Sequence, residues 1–307
     1  MFNIVEKRGW YFLFSALVII PGLIAMAYST AQFGSPVRLD VDFTGGSLFV
    51  LKFQEITSED AIRAVFESQG LLDPSITRLG APEERTWQVR TDFVTQEQSE
   101  ALFDALEQQI GPVDRDASSV DSVSPAIGSE VTQAATIAVV AGAVVILAFI
   151  VFAFRRVPHA FRYGTCAIAA MVHDILVAMG FMSIMGLLRA WEVDALFLTA
   201  MLTVIGFSVQ DTIVVFDRIR ENIPKRRGEP FETIVNRSLL ETLHRSLATQ
   251  LNAIFVMVAI LLFGGASIKQ FIAVLLVGLI SGTYSSIFNA VPLLVVWEKW
   301  SQRYALA

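Results

Sequence analysis

Six apolar stretches constrain this chain more than any other feature: Tyr11–Tyr28, Ala134–Phe154, Phe161–Leu188, Ala195–Phe216, Leu247–Phe263 and Phe271–Trp297. A bilayer span takes about 20 apolar residues, whereas a buried core segment runs to only about 10–14. Composition agrees: 54% of the 307 residues are hydrophobic and 17% charged. A soluble domain has about 45–50% and about 25% respectively. Net charge is −6, so there is no basic footprint for a nucleic acid. The single Cys166 excludes an intrachain disulfide and a cysteine-based metal cluster. The chain reads as a polytopic α-helical membrane protein with six transmembrane helices in a lipid bilayer.

Residues 30–133 are different. They carry 18 acidic and 7 basic side chains, and the remainder of the chain is net basic. One acidic domain is therefore inserted after the first span, between residues 1–29 and the five spans of residues 134–307. Orientation follows from the Lys and Arg of short loops, which favour the cytoplasmic side. With the N-terminus inside, that side receives Lys7, Arg8, Arg155, Arg156, Arg162, seven basic residues from Arg218 to Arg245, Lys299 and Arg303. The short outer loops receive only Arg189 and Lys269. Both termini are expected in the cytoplasm and residues 30–133 outside it. The first span, basic at its start and with Ala25-Met26-Ala27 near its end, resembles a cleavable signal, but its apolar stretch is too long; a retained anchor is expected.

Within the inserted domain, Val37–Phe43 and Ser47–Phe53 alternate around Thr44-Gly45-Gly46, which predicts a hairpin or a folded-back strand. Ser58 opens a helix that Gly70 ends, and Thr95 opens another that stops at Gly111-Pro112. Strands are expected at Ser75–Leu79, Arg85–Phe93 and Val113–Val123. The order predicts an α+β, ferredoxin-like sandwich. The domain has no His, no phosphate-cradling glycine motif and no nucleophile–base pair, so it reads as a binding or positioning module.

Ionisable groups inside spans cost about 2.5–3.5 kcal/mol each on insertion scales and mark ion pathways. His173-Asp174 falls in the third span and Asp211 in the fourth, while Arg245 stands where the fifth begins. Helix–helix hydrogen bonding is the plainer reading for each; for Asp174 and Asp211 ion coupling is the stronger one. Arg245 is the expected counter-ion of Asp211. Counting from each span's start sets the two aspartates about 10 Å apart in depth, too far for the shared proton of an aspartyl protease. No further His lies in the membrane to complete a metal site. Gly278 and Gly282 form a GxxxG pair read as helix packing. Residues 218–248 are expected to form an amphipathic helix on the inner membrane face.

Several runs are similar to those of one family. Phe207–Asn222 (FSVQDTIVVFDRIREN), which contains Asp211, Asp217 and Arg218, resembles the fourth-span signature of the SecF family of protein-export subunits. Asp42-Phe43-Thr44-Gly45-Gly46 resembles that family's D-F-x-G-G motif, Val172-His173-Asp174 its third-span pair, and Leu243–Leu247 its motif before the fifth span. Gln210 and Ser246 depart from the family's usual Asn and Thr. The resemblance implies half of a transporter of the RND superfamily that uses the proton or sodium gradient to assist preprotein export across the inner (plasma) membrane. It also implies a SecD-like partner, the SecYEG channel, YajC and unfolded preproteins as associates, no catalytic residues, and no cofactor beyond the transported H+ or Na+. An RND-type exporter of small molecules or lipids, and a passive membrane scaffold, are the alternatives. The small acidic insertion argues against the exporter.

Overall fold

The computed structural model describes residues 3–72, 74–79, 82–155 and 159–305; Arg156, counted above among the inner basic residues, lies outside them. The chain divides into two compact units, one of residues 39–136 and one of residues 1–38 with 137–307.

Unit 39–136 is built on a four-stranded antiparallel sheet. β1 (Gly46–Lys52), β2 (Ser75–Leu79), β3 (Thr86–Thr91) and β4 (Ser119–Val123) stand in the order β2-β3-β1-β4. Helices α3 (Glu59–Ser68) and α4 (Gln96–Gln109) follow β1 and β3. This is the split βαβ arrangement expected from the sequence. The N-caps fall where the sequence puts them: Ser58 Oγ accepts from the Ala61 N–H, and Thr95 and Gln98 close a capping box. The inward sides of β1 and β3 carry Phe49, Leu51, Trp87 and Val89, which pack with Ile62, Phe66 and Leu106 of the helices. Phe49 is fully buried, its ring 5.3 Å from Phe66 and edge-on. Arg115 closes the far side, donating to Glu107 and Asp104 and lying over the Phe103 ring. That hydrogen bond holds the Glu107 carboxyl below its usual range.

Two sequence expectations fail here. Val37–Phe43 is not a strand, because Val41–Thr44 forms a short helical turn, α2. Asp40 competes with the ladder, its carboxylate accepting from the Val41 N–H and its carbonyl from Phe43 and Thr44. Gly45 and Gly46 then reverse the chain at φ 72° and 113°, and a Cβ on either would collide with the Pro125 backbone or the Thr91 carbonyl. Phe43, buried, and Asp42 belong to that turn. The run Val113–Val123 is also interrupted: Asp114 caps a 3₁₀ turn at Arg115–Ala117, and only Ser119–Val123 joins the sheet.

Among the described residues, six helices are long and apolar enough to cross a membrane. They involve α1 (Arg8–Phe33), α5 (Pro125–Ala153), α6 (Ala160–Arg189), α7 (Ala195–Lys225), α8 (Phe231–Phe263) and a last span in which α9 (Ala266–Ser285) runs through a π segment (Ser286–Ala290) into α10 (Val291–Ala305). α1 and α6 touch backbone to backbone, since a Cβ on Gly22 would lie 2.8 Å from Gly180 Cα. Residues 218–248 do not form a separate surface helix. They are the continuation of α7 and the start of α8, joined by a turn at Arg226–Pro230. Their apolar face is needed inside the protein: Ile219, Val235 and Leu239 are fully buried in one cluster with Phe216 and Val291.

Phe49→Ala should lower the unfolding free energy of a fragment of residues 39–136 by about 3–5 kcal/mol, the cost of emptying a buried aromatic site. Urea unfolding checks this. Gly180→Val should separate α1 from α6 and lower the thermal midpoint of the detergent-solubilised chain, whereas Gly142→Val, whose Cβ meets nothing within 4 Å, should leave it unchanged.

Candidate functional site

The polar residues inside the spans gather where α6, α7, α8 and α9 meet. On α7, buried positions recur with helical spacing at Val204, Ser208, Asp211, Val215 and Ile219, so Ser208 and Asp211 lie on the inward stripe. On α8 the inward stripe is Val235, Leu239, Thr242, Ser246 and Gln250. On α9, Gly278 and Gly282 bring the helix against α7: a Cβ on Gly278 would overlap Val204, and one on Gly282 would press on Ser208. Both glycines of the GxxxG pair lie where α9 approaches α7. The close approach sets Ser281 and Ser285 beside α6 and α7.

Asp174 of α6 is 1% exposed and is surrounded by donors. It accepts from Ser208 Oγ at 2.5 Å, Ser281 Oγ at 2.6 Å and Ser285 Oγ at 2.7 Å, and lies 3.0 Å from His173 Nδ1. Three helices are tied to one carboxylate. An imidazole that carries its proton on Nδ1 is a fourth donor to this carboxylate, beside the three hydroxyls. In the sequence Ser281 and Ser285 merely flank Gly282, and Ser208 merely precedes Asp211 by three residues.

Asp211 is also buried, with a different set of neighbours. Gln250 Nε2 donates to its Oδ2 at 2.7 Å. Ser246 Oγ lies beside the carboxylate without completing a hydrogen bond of good geometry. The expected pairing with Arg245 is absent. Arg245 precedes Ser246 by one residue, about 100° round the helix, and is exposed. It lines a polar hollow of about 300 Å³ with Asp217, Arg218, Glu221 and Glu241. In the sequence Gln250 is one of three polar residues, with Thr249 and Asn252, that blur the start of the fifth apolar stretch. The readable signal was its position four residues after Ser246, on the stripe that α8 buries.

The depth offset between the two aspartates also needs correction. Ser208, which bonds Asp174, precedes Asp211 by three residues, or about 4.5 Å of helix rise rather than 10 Å. Counting each residue from its own span's start was the fault. Asp174 and Asp211 lie nearly equally far from the turn that joins α6 to α7. Even so, they share no hydrogen bond, each being held by its own donors.

Beyond this pair Arg218 ties α7 to α8, while Asp217 pairs within α7. Arg218 Nε donates to Glu241 at 2.6 Å and Arg220 pairs with Asp217 at 2.5 Å. Asn222 donates to both Ser238 and Glu241 at 2.9 Å. Among the described residues, no group of three or more His, Cys, Asp or Glu is placed to hold a metal ion.

Fold and site together define an integral membrane protein, a helical bundle with buried carboxylates and one inserted sandwich domain. The family model described as "Protein export membrane protein SecD/SecF, C-terminal" matches residues 103–300. The chain is 45% identical over 99% of its length to the protein translocase subunit SecF of Anaerolinea thermophila, covering 96% of that protein. It is 43% identical to that of Thermobaculum terrenum, over 97% of this chain and 94% of the relative. The chain belongs to the SecF family. Among solved structures it is similar to SecDF, a translocon-associated membrane protein from Thermus thermophilus, with TM-score 0.79 and 28% identity over 97% of this chain. It spans 39% of the length of that SecDF chain. SecDF in its super-membrane-facing form gives TM-score 0.66, with 29% identity over the whole chain and 40% of that one.

Gln250→Leu should destabilise the bundle by about 1–3 kcal/mol, because it leaves the buried Asp211 without its donor. The double variant Asp211→Leu with Gln250→Leu should lose less than the sum of the two single losses. Thermal unfolding in detergent of the four proteins of this cycle checks both statements.

Proposed function

We propose that this chain is the SecF half of a SecDF-type complex that uses the proton or sodium gradient to assist export of unfolded preproteins. A SecD-like subunit supplies the other six spans, and SecYEG and YajC are associates. Both termini face the cytoplasm, residues 30–133 lie outside it, and the chain resides in the inner (plasma) membrane. The chain's contribution is coupling rather than catalysis.

One observation carries the reading. Of two buried carboxylates at similar depth, Asp174 is held by four donors from three helices while Asp211 has one firm donor, Gln250. A heavily satisfied anion is a fixture; a lightly satisfied one exchanges partners. Arg245 is five residues from Gln250, about 7.5 Å along α8, within the span of an arginine stem leaning inward. Asp211 alternates between Gln250 and Arg245, taking up an ion from the wetter side as it changes partner. The accompanying rocking of helices moves the inserted domain.

Asp211→Asn should abolish gradient-stimulated export in vesicles while ATP-driven export and binding of the SecD-like partner persist. Arg245→Ala should do the same. Gradient stimulation of the Asp211→Asn protein at the unmutated rate would exclude this role for the residue.

A further inference from the structure

A second feature of the bundle lies on the opposite flank of His173. Between α1, α6 and α9 there is a hollow of about 390 Å³, almost entirely apolar in its lining. Phe14, Ser15 and Val18 form one wall, His173 and Val177 the back, and Val277, Ile280 and Tyr284 the other wall. It is short, covering about one turn of α1 and of α6. Above it the two helices close on each other at Gly22 and Gly180. Below it an aromatic floor closes the space: Tyr11 lies 4.6 Å from Phe288, and Tyr284 lies 5.2 Å from both Phe14 and Phe288. The hollow opens sideways, past Phe14, Val18 and Ile280, all exposed at the depth of the spans.

Its polar atoms are spent, with one exception. Tyr284 donates its hydroxyl to the Tyr11 carbonyl, Ser281 donates to Asp174, and Ser15 is bonded to Asn289. His173, with a side chain only 10% exposed, has Nδ1 engaged by Asp174, and its Nε2 is buried with no hydrogen-bond partner. In the tautomer that donates Nδ1–H to Asp174, Nε2 offers a lone pair and calls for a donor. An unmet buried acceptor costs about 1–3 kcal/mol, so a compound that supplies the donor gains by it. A single water, whose share of liquid volume is about 30 Å³ and which wants two to four polar partners, does not suit so large and apolar a space. A transmembrane helix does not suit it either, because the hollow is closed at both ends within about two turns.

We propose that this hollow is a binding site for a bilayer-dissolved small molecule with a ring-borne hydroxyl, such as a phenol or hydroquinone head on a hydrocarbon tail. The ring lies among Phe14 and Tyr284, the hydroxyl donates to His173 Nε2, and the tail leaves through the lateral opening. Occupancy then fixes the tautomer of His173 and with it the fourth bond to Asp174, so a membrane solute bears directly on the junction of α6, α7 and α9.

The test uses the full chain in its native membrane, with any partner subunits present. Two photoactivatable diazirine probes are compared, an alkylphenol and its methyl ether, which differ only in the O–H. The phenol should label the α1, α6 and α9 walls about fivefold more than the ether, the worth of one hydrogen bond. His173→Phe should erase that preference. Ile280→Trp, which fills the opening and leaves His173 intact, should abolish labelling by the phenol while the membrane level of the protein is unchanged. Equal labelling by phenol and ether, or labelling by a diazirine phospholipid as strong as by the phenol, would overturn the proposal in favour of a general lipid groove. Failure of every probe to reach these walls would overturn it in favour of a covering partner helix.

Discussion

The bundle depends on the burial of one carboxylate. Asp174 sits where a charge is expensive, and the expense is met by hydroxyls from two other helices and the imidazole beside it. Such a group tolerates little displacement, because moving any one helix withdraws a donor from an ion in a medium that supplies no replacement. α6, α7 and α9 therefore act as one block. The small residues follow from the same demand. Serine hydroxyls reach a neighbouring helix only if backbones come close, and Gly278 and Gly282 on α9 allow that approach to α7. Replacing either glycine would thus bear on the carboxylate as well as on packing.

Against that block, α8 is joined differently. Its inner residues touch α7 through Gln250 and Asp211 near the middle and through Glu241, Arg218 and Asn222 near the turn. The contacts near the turn are ionic and partly exposed, where water competes and a displaced partner is readily replaced. The single amide at the middle is the contact that a change of charge on Asp211 alters most. The junction at Asp174, with four donors, thus holds its helices more firmly than the junction at Asp211, with one amide.

Much of this was legible in the sequence, for physical reasons. Spans announce themselves because lipid demands about 20 apolar residues in a row, and the inserted domain because its acidity and period-two runs break that pattern. Helix starts at Ser58 and Thr95 were readable because capping is local chemistry. What failed was whatever depends on neighbours. Val37–Phe43 alternates like a strand, yet Asp40 supplies its own turn. The apolar face of residues 218–248 has the period of a surface helix, but period does not say whether lipid or protein covers it. Gln250 looked like a flaw in a span because its partner lies 39 positions away.

The error over Arg245 is the most instructive of these. Charge complementarity picks an arginine for a buried aspartate, and a sequence offers nothing finer. Geometry picks whichever donor lies on the buried stripe, and on α8 that stripe runs through Thr242, Ser246 and Gln250. A neutral amide also suits the depth better. Bringing a guanidinium to Asp211 would desolvate a second ion, and the attraction between two buried charges often fails to repay that. A permanent Asp211–Arg245 pair would moreover be too well satisfied to release its partner. Gln250 leaves the carboxylate held but replaceable, and keeps the arginine at a wet surface within reach. In the coupling role proposed for Asp211, the weaker bond suits a carboxylate that exchanges partners.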